Sequence, residues 1–332
     1  MHLDSVRELK QRVIRSVLAR MVAASSHALG LAYAASTLDA MRQPRRLLAV
    51  GVAPGGKGQF RLAVRLQRRS LAASAELERL RSMARGELDV RFIGSVQKRA
   101  RPWHQGRNRP LKIGGSVANF AVTAGTVGGF VRQRGRTEVH ILSNNHVLAN
   151  ENQARPGDAV LQPGPYDGGT RARDRVARLE RFVRLQSPRV NLVDCAIARL
   201  LPGIEYDAAR LTGWGTLRGV SAAPVDEGMR VVKVGRTTGV TRGRVTAFEL
   251  DDVVVAYDMG NLRFDDQIEI EGSGNLPFSD GGDSGSLIVD GAGYAVGQLF
   301  AGSDTGGRNN QGLTYASPIR TVLDRLNVQL VF

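Results

Sequence analysis

The sequence predicts a mainly-β protein in which two six-stranded β-barrels follow a small N-terminal α/β domain. From residue 111 onwards, short apolar stretches alternate with glycine-rich turns, which is typical of barrels and sandwiches. Residues 1–96 instead combine helical periodicity with a few short apolar stretches. The 332 residues are 42% hydrophobic and include 39 glycines, which is enough for more than one core and for many tight turns.

The N-terminal domain, residues 1–96, opens with two predicted helices, over 5–24 and 28–41. Apolar residues recur every three or four positions in the first of them and form a stripe: Val6, Leu9, Val13, Val17 and Met21. This stripe packs either against its own domain or against a partner helix, a membrane surface or a second copy of the chain. The other predicted elements are a helix and three strands, at 71–85, 47–52, 60–66 and 88–93.

Residues 97–110 are predicted to form an exposed basic linker. The stretch is rich in Lys, Arg and Pro: Lys98, Arg99, Arg101, Pro102, Arg107, Arg109 and Pro110. Trp103 and His104 form either a stacking platform for bases or a surface anchor. The net charge of +15 favours acidic partners such as nucleic acid, but solvated surface arginines explain it equally well. No helix-turn-helix, zinc or aromatic RNA-binding motif accompanies the charge.

The first barrel is predicted over 111–203 and the second over 204–332, divided near Pro202 and Gly203. Residues 318–327 are predicted to form a short closing helix. The strands predicted for the first barrel are 123–133, 137–143, 175–185 and 192–200. Those predicted for the second barrel are 229–234, 240–250, 253–259, 264–270, 287–289, 295–301 and 313–316.

Composition and the N-terminal segment predict a cytoplasmic protein. The only cysteine is Cys195, so no intramolecular disulfide can form. The sequence contains no run of about 18 apolar residues, which a membrane-spanning helix would need. Ser25, Ser26 and His27 interrupt the apolar region that a signal peptide would need, so we interpret this segment as part of the mature protein.

No metal or cofactor is predicted. The glycine cluster at 54–58 follows a predicted strand, as a phosphate-binding loop would. It lacks the G-K-[ST] ending and the helix that such a loop requires, so a hairpin turn is the better interpretation.

A candidate nucleophile lies in the stretch Asp280-Gly-Gly-Asp-Ser-Gly-Ser286, just ahead of the apolar run 287–289. Glycines on both sides of Ser284 permit a sharp turn and a close approach by another molecule. Such a turn can expose a hydroxyl beside backbone N–H groups, which acyl transfer requires. Clusters of Gly, Asp and Ser also mark ordinary turns, so this stretch alone does not decide the chemistry.

Two further stretches supply the partners of a catalytic serine. His146 follows the apolar run 141–142 and its Ser-Asn-Asn end, whereas Asp194 lies inside an apolar stretch where an unpaired carboxylate would be costly. The order is His, Asp, Ser, with gaps of 194 − 146 = 48 and 284 − 194 = 90 residues. His140 is predicted to be structural, because Ser143 to Asn145 end the strand between the two histidines.

The sequence resembles the chymotrypsin-fold (trypsin-like) serine proteases over roughly residues 111 to 327, since that family has the same order of triad residues. The segment 232–247, Val-Lys-Val-Gly-Arg-Thr-Thr-Gly-Val-Thr-Arg-Gly-Arg-Val-Thr-Ala, resembles the first hairpin of the second barrel in bacterial streptogrisin-type and glutamyl-endopeptidase-type members. Segments 296–299 and 315–319 resemble the closing strands of that barrel. The lack of disulfides departs from many secreted members.

The resemblance implies roles for individual residues. His146 is the general base, Asp194 orients it, and Ser284 is the nucleophile. The backbone N–H groups of Gly282 and Ser284 are the implied oxyanion donors, and Asp283 is expected to hold that loop in shape. Phe278 takes the position at the base of the substrate pocket, with Phe300 and Leu313 nearby, so a restricted apolar pocket is expected rather than one for Arg or Lys.

The predicted function is a serine endopeptidase that acts on protein or peptide substrates. The N-terminal domain is expected to regulate access to Ser284 or to assemble subunits. Two alternatives remain open at this stage. One is a catalytically idle scaffold on the same fold, and the other is a basic protein associated with nucleic acid.

Overall fold

The computed structural model describes residues 1–18, 48–67, 69–94, 101–308 and 310–332, except the side chains of residues 17 and 18. The chain divides into two compact units, Met1–Ala100 and Arg101–Phe332, which are described separately. The predicted helix over 28–41, together with Met21 and Arg99, lies outside the described residues. Among the helices that are described, none is long and apolar enough to cross a membrane.

The N-terminal unit is a three-stranded sheet with two helices. Its elements are α1 (Leu3–Val13), β1 (Leu48–Gly56), β2 (Gln59–Leu66), α2 (Ala75–Met83) and β3 (Leu88–Phe92), with a π-helical turn at Ile14–Leu18 and a 3₁₀ turn at Arg69–Ala73. β1 and β2 form an antiparallel hairpin, and β3 lies parallel to β2 after the crossover through α2. The Ser74 hydroxyl starts α2 by accepting a hydrogen bond from the N–H of Leu77 at 3.2 Å.

The apolar stripe of α1 is buried within its own unit. Val6, Leu9 and Val13 share one core with Leu62 and Val64 of β2. Each such side chain contributes about 1.5–3 kcal/mol when it is removed from water. These three residues are therefore not available to a second copy of the chain, and the docking interpretation of the stripe is wrong for them.

The second unit is built almost entirely of short strands. They are β4 (Leu111–Lys112), β5 (Ser116–Asn119), β6 (Gly125–Thr126), β7 (Gly129–Gln133), β8 (Val139–Ser143), β9 (Ala159–Leu161), β10 (Arg175–Phe182), β11 (Ala196–Leu200), β12 (Tyr206–Asp207), β13 (Arg210–Leu211), β14 (Gly215–Thr216), β15 (Gly219–Val220), β16 (Arg230–Gly235), β17 (Gly239–Leu250), β18 (Val253–Tyr257), β19 (Gly260–Phe264), β20 (Gln267–Gly272), β21 (Leu287–Asp290), β22 (Tyr294–Gly302), β23 (Leu313–Pro318) and β24 (Val328–Val331). Two helices accompany them, α3 (Asn145–Leu148) and α4 (Ile319–Leu326).

The first sheet has the order β24-β7-β8-β11-β10-β9-β5-β6. β6 and β7 lie near opposite ends of this order, yet only Val127 and Gly128 separate them in the chain. The sheet must therefore curl round on itself. Gly128 is required at this bend, because a Cβ there would lie 2.2 Å from the carbonyl oxygen of Gly285. The C-terminal strand β24 pairs with β7, so the assignment of all of 204–332 to the second barrel is wrong for this strand.

The second sheet closes into a six-stranded barrel. Its order is β22-β21-β16-β17-β20-β23, with β23 pairing back onto β22, and β15 adds a parallel edge to β22. Val231, Val245, Ile270, Ile288 and Leu299 fill its interior. The mainly-β prediction is thus confirmed, with one closed barrel and one curled sheet.

Residues 101–110 belong to the second unit, so the prediction of a linker is wrong for them, although Arg101, Arg107 and Arg109 are exposed as predicted. Asn108 is buried and donates its N–H to the Gln162 side chain at 2.9 Å. His104 Nδ1 lies 2.6 Å from the carbonyl oxygen of Arg236. Arg109 donates to the same Gln162 side chain at 2.6 Å, and Arg101 donates to the carbonyl of Asp167. Because arginines of this stretch satisfy acceptors of their own unit, they form less of a free basic surface than the sequence suggested.

Candidate active site

His146 and Asp194 are in direct contact at the edge of the first sheet. His146 lies on the one-turn helix α3, which follows β8 directly, and Asp194 stands two residues before β11, the strand paired with β8. The imidazole Nδ1 is 2.5 Å from Asp194 Oδ2. The other carboxylate oxygen accepts from the N–H of Asn145 at 2.6 Å and from the N–H of His146 at 3.3 Å. These N–H groups balance a carboxylate that is only 1% exposed.

The environment of His146 moves its pKa upwards. Burial of the imidazole lowers the pKa, but the Asp194 carboxylate and, more weakly, Glu151 outweigh this effect. Asp194 accepts the hydrogen bond of the imidazole Nδ1, which leaves Nε2 as the nitrogen for proton transfer. A histidine held in this way can act as a general base once it is neutral.

Asparagines that the sequence analysis missed hold this segment. Asn144 donates to the carbonyl of Asp194 at 2.6 Å, and Asn145 donates to the carbonyl of Val183 at 2.8 Å. Asn145 and Asn152 also exchange hydrogen bonds of 2.9 and 3.0 Å. Asn144 and Asn145 stand just before His146 in the sequence, but the groups that they bind belong to loops distant in the chain.

Ser284 lies on a turn that reaches across to the first sheet. Gly282 and Gly285 on either side have φ of +93° and +94°, a region that favours glycine. The carbonyl of Ser284 accepts from the N–H of Thr126 at 2.9 Å. A Cβ at Gly285 would lie 2.1 Å from the Ser143 hydroxyl, three residues before His146. The turn therefore lies against the end of β8 that leads to His146.

Two N–H groups of this turn are available as donors. Within the described parts of the chain, the N–H groups of Gly282 and Ser284 have no acceptor. The Thr237 hydroxyl donates to the carbonyl of Gly281 at 2.6 Å, and the Thr126 hydroxyl donates to the carbonyl of Gly282 at 3.0 Å. Because the C=O and N–H of a trans peptide point in opposite directions, Thr237 fixes the direction of the Gly282 N–H.

Asp283 is fully buried beneath the same turn, and the structure identifies its partners. It accepts from the N–H groups of Thr237 and Thr238 at 2.7 and 3.2 Å. Lys233 Nζ is 3.1 Å from Asp283 Oδ2, and both side chains are completely buried. Burial lowers the pKa of Lys233, and the neighbouring carboxylate opposes this change.

The turn that carries Ser284, ahead of β21 of the closed barrel, thus lies against the end of the first-sheet strand that leads to His146, which contacts Asp194. The chain has the chymotrypsin fold.

No family model matches the chain. Protein NARROW LEAF 1 of Oryza sativa subsp. japonica is 28% identical over 212 residues, which cover 55% of this chain and 34% of that protein. The match therefore spans about a third of that relative.

Several solved structures are similar to this chymotrypsin-fold chain. Thermobifida fusca Protease A is 18% identical, with a TM-score of 0.46 over 68% of this chain and 99% of that one. Cellulomonas bogoriensis chymotrypsin is 19% identical, with a TM-score of 0.45 over 67% of this chain and 98% of that one. A glutamic acid specific serine protease is 23% identical, with a TM-score of 0.48 over 67% of this chain and 100% of that one. These are similarities only, and the fold assignment rests on the strand pairing.

The cavity beside Ser284 differs from the expected apolar pocket. It measures about 350 Å³, and its lining includes Ser279, Asp280, Ala301, Ser303 and Asp304. Neither carboxylate forms an ion pair with a described cation. The cavity of this chymotrypsin-fold chain is therefore polar and acidic.

Phe278, Phe300 and Leu313 do not line this cavity, so that prediction is wrong. Phe278 is 1% exposed and belongs to the core of the closed barrel, and Phe300 stacks on Phe264 at 4.7 Å. Successive residues of an extended chain face opposite sides. For Phe278 and Phe300 the prediction was thus one residue out of phase, since the residues that flank them line the cavity instead.

Replacing Thr237 with Val should slow acylation of Ser284 about fivefold, because one hydrogen bond that orients the Gly282 peptide is lost. The rate is measured with a fluorophosphonate probe under pseudo-first-order conditions. Thr237→Ser is the matched control, since it keeps the hydroxyl and should retain the wild-type rate. Equal rates for the Val and Ser variants would contradict this role.

Described residues contain no cluster of three or more His, Cys, Asp or Glu side chains that could hold a metal ion.

Proposed function

We propose that this protein is a serine endopeptidase that cleaves peptide bonds through an acyl-enzyme on Ser284. The observation that carries the proposal is the contact of His146 with the buried Asp194 carboxylate, together with a serine turn in which two N–H groups have no acceptor among the described residues. A free serine hydroxyl is a weak nucleophile, and this arrangement supplies both a base and an oxyanion site.

Each group has one role in the proposed reaction. The Ser284 oxygen attacks the scissile carbonyl carbon while His146 Nε2 takes the hydroxyl proton. The N–H groups of Gly282 and Ser284 donate to the oxyanion that forms. His146 then gives the proton to the leaving amine, and Asp194 stabilises the imidazolium in between. Water repeats the sequence to release the acid product.

A fluorophosphonate probe tests the proposal. Wild-type protein should be modified at Ser284, as peptide mapping would show, and Ser284→Ala should not be labelled. Ser187→Ala, which changes an exposed serine, should label normally. Folded wild-type protein that resists the probe would overturn the proposal in favour of the idle scaffold.

We propose further that the substrate side chain next to the cleaved bond is basic. The carboxylates of Asp280 and Asp304, which form no ion pair with a cation among the described residues, favour a cation, and the cavity volume accommodates a long side chain. Fluorogenic peptides that end in Arg, Lys, Leu, Phe or Glu would rank this preference. Faster cleavage after Leu or Phe would contradict it.

The N-terminal unit has its own core and contributes none of these groups. We propose for it the regulatory or assembly role expected from the sequence. Comparing probe labelling and native mass of the full chain with those of residues 101–332 tests this role. Equal values for both proteins would contradict it.

A further inference from the structure

The hairpin formed by β18 and β19 pairs with neither large sheet. It is a two-stranded sheet of its own, inserted between β17 and β20 of the closed barrel. At its base, the N–H of Asn191 donates to the carbonyl of Arg263 at 2.8 Å, and the N–H of Asp265 donates to the carbonyl of Asn191 at 3.0 Å. Asn191 stands three residues before Asp194. The hairpin therefore brings a part of the second barrel's chain to the carboxylate of the first sheet.

Tyr257, at the end of β18, contacts the candidate catalytic pair directly. Its hydroxyl donates to Asp194 Oδ2 at 2.7 Å, and this oxygen is also the acceptor for His146 Nδ1. The tyrosine ring lies edge-on to the imidazole, with centroids 5.9 Å apart. Asp194 Oδ2 thus accepts hydrogen bonds from two side chains that belong to different segments of the chain.

The tyrosine ring is held by an aromatic stack. It lies on Phe264 with centroids 6.0 Å apart, and Phe264 packs on Phe300 at 4.7 Å. The sequence analysis placed Phe300 in the substrate pocket, whereas here it supports the ring that reaches Asp194. A side chain held by a ring stack and at its hydroxyl positions its partner at a low entropic cost.

The tip of the hairpin is fastened to the loop after α3. The Glu151 carboxylate accepts from the N–H of Asp258 at 3.2 Å and from the N–H of Met259 at 3.0 Å. Residues 150, 151 and 152 all have positive φ, between 48° and 71°, although none is glycine. Such conformations persist only where surrounding contacts hold them. The hairpin and the segment that carries His146 are therefore tied together.

We propose that Tyr257 is a positioning residue for the catalytic pair, which holds the Asp194 carboxylate and moderates its attraction for the His146 proton. This inference rests on the proposed peptidase function. The groups that face the imidazole are Asp194 before β11, Glu151 after α3 and Tyr257 on β18. The tyrosine hydroxyl presents its positive end to the carboxylate. Removing the hydroxyl therefore strengthens the attraction between the Asp194 carboxylate and the His146 imidazolium.

Burial and the charge of Asp194 raise the pKa of Tyr257 well above its ordinary value. The hydroxyl therefore stays protonated and remains a donor throughout the range in which His146 titrates. Its effect on the pair should be constant across that range, and it is separable from the titration of the imidazole itself.

The test is Tyr257→Phe, measured as the second-order rate constant of labelling by a fluorophosphonate at several pH values. The rate should fall about tenfold, because a hydrogen bond to a charged group is lost. The acid limb of the profile should move to higher pH, because the pKa of His146 rises. Tyr315→Phe is the matched control: it removes a hydroxyl that donates to Glu269 at 3.3 Å, and should match wild type in rate and profile.

The outcomes separate the two proposals. Labelled wild-type protein with an unchanged rate and profile in Tyr257→Phe overturns the inference and leaves the proposed function standing. A loss of rate without any shift of the acid limb, accompanied by a lower unfolding temperature, shows a merely structural tyrosine and also overturns it. Wild-type protein that is folded but unlabelled overturns the proposed function and the inference with it.

Discussion

Replacing Asp194 with Asn should lower the rate of fluorophosphonate labelling of Ser284 by about 10⁴-fold. In wild-type protein the carboxylate accepts from His146 Nδ1, which leaves Nε2 free to take the serine proton. An amide at this position can donate to Nδ1 and stabilise the wrong tautomer. The N–H groups of Asn145 and His146 and the Tyr257 hydroxyl also point at this side chain, so the amide NH₂ would face donors.

Rapid labelling at several pH values measures this effect. In wild-type protein the rate should fall with decreasing pH as His146 is protonated. Because the Asp194 charge raises the pKa of His146, this fall should begin at higher pH than for an ordinary histidine. Asp324→Asn is the control, since this exposed carboxylate forms a surface ion pair with Arg134. A loss of less than tenfold in Asp194→Asn would contradict the proposed role.

Much of the architecture could be predicted from the sequence because its signals are local. Short apolar stretches between glycine-rich turns indicate a barrel, and helical spacing placed Val6, Leu9 and Val13 on one buried face. The contact between His146 and Asp194 was predictable for another reason. The order His, Asp, Ser matches that of the family the sequence resembles, and an unpaired carboxylate in an apolar stretch would be costly.

Other features depend on packing that no short segment encodes. The pocket prediction failed by one residue at Phe278 and Phe300, because the phase of an extended chain cannot be read where glycines and bulges interrupt alternation, as between Leu299 and Ala301. Tyr257 lies 63 residues from Asp194 in an unremarkable strand, and nothing local distinguishes it. The arginines of 101–110 are exposed, as the sequence suggested, but their acceptors come from distant loops and could not be predicted locally.

Lys233 is the second residue whose replacement should have a large effect. Its ammonium group is paired with Asp283 under the serine turn, and water reaches neither side chain. Lys233→Met should lower the free energy of unfolding by about 3–5 kcal/mol, because the Asp283 charge would remain buried without a cation. The turn should also lose its shape, so labelling of Ser284 should slow in protein that is still folded.

Urea denaturation and probe labelling of the same samples check this prediction. Lys57→Met, which removes an exposed lysine, is the matched control and should leave both values unchanged. The double variant Lys233→Met/Asp283→Asn should recover part of the lost stability, because neither charge then remains buried alone. The amide introduced by Asp283→Asn keeps an oxygen that can accept from the N–H groups of Thr237 and Thr238, as the carboxylate does. A double variant as unstable as Lys233→Met would mean that lost packing of the lysine stem, and not the unpaired charge, causes the effect.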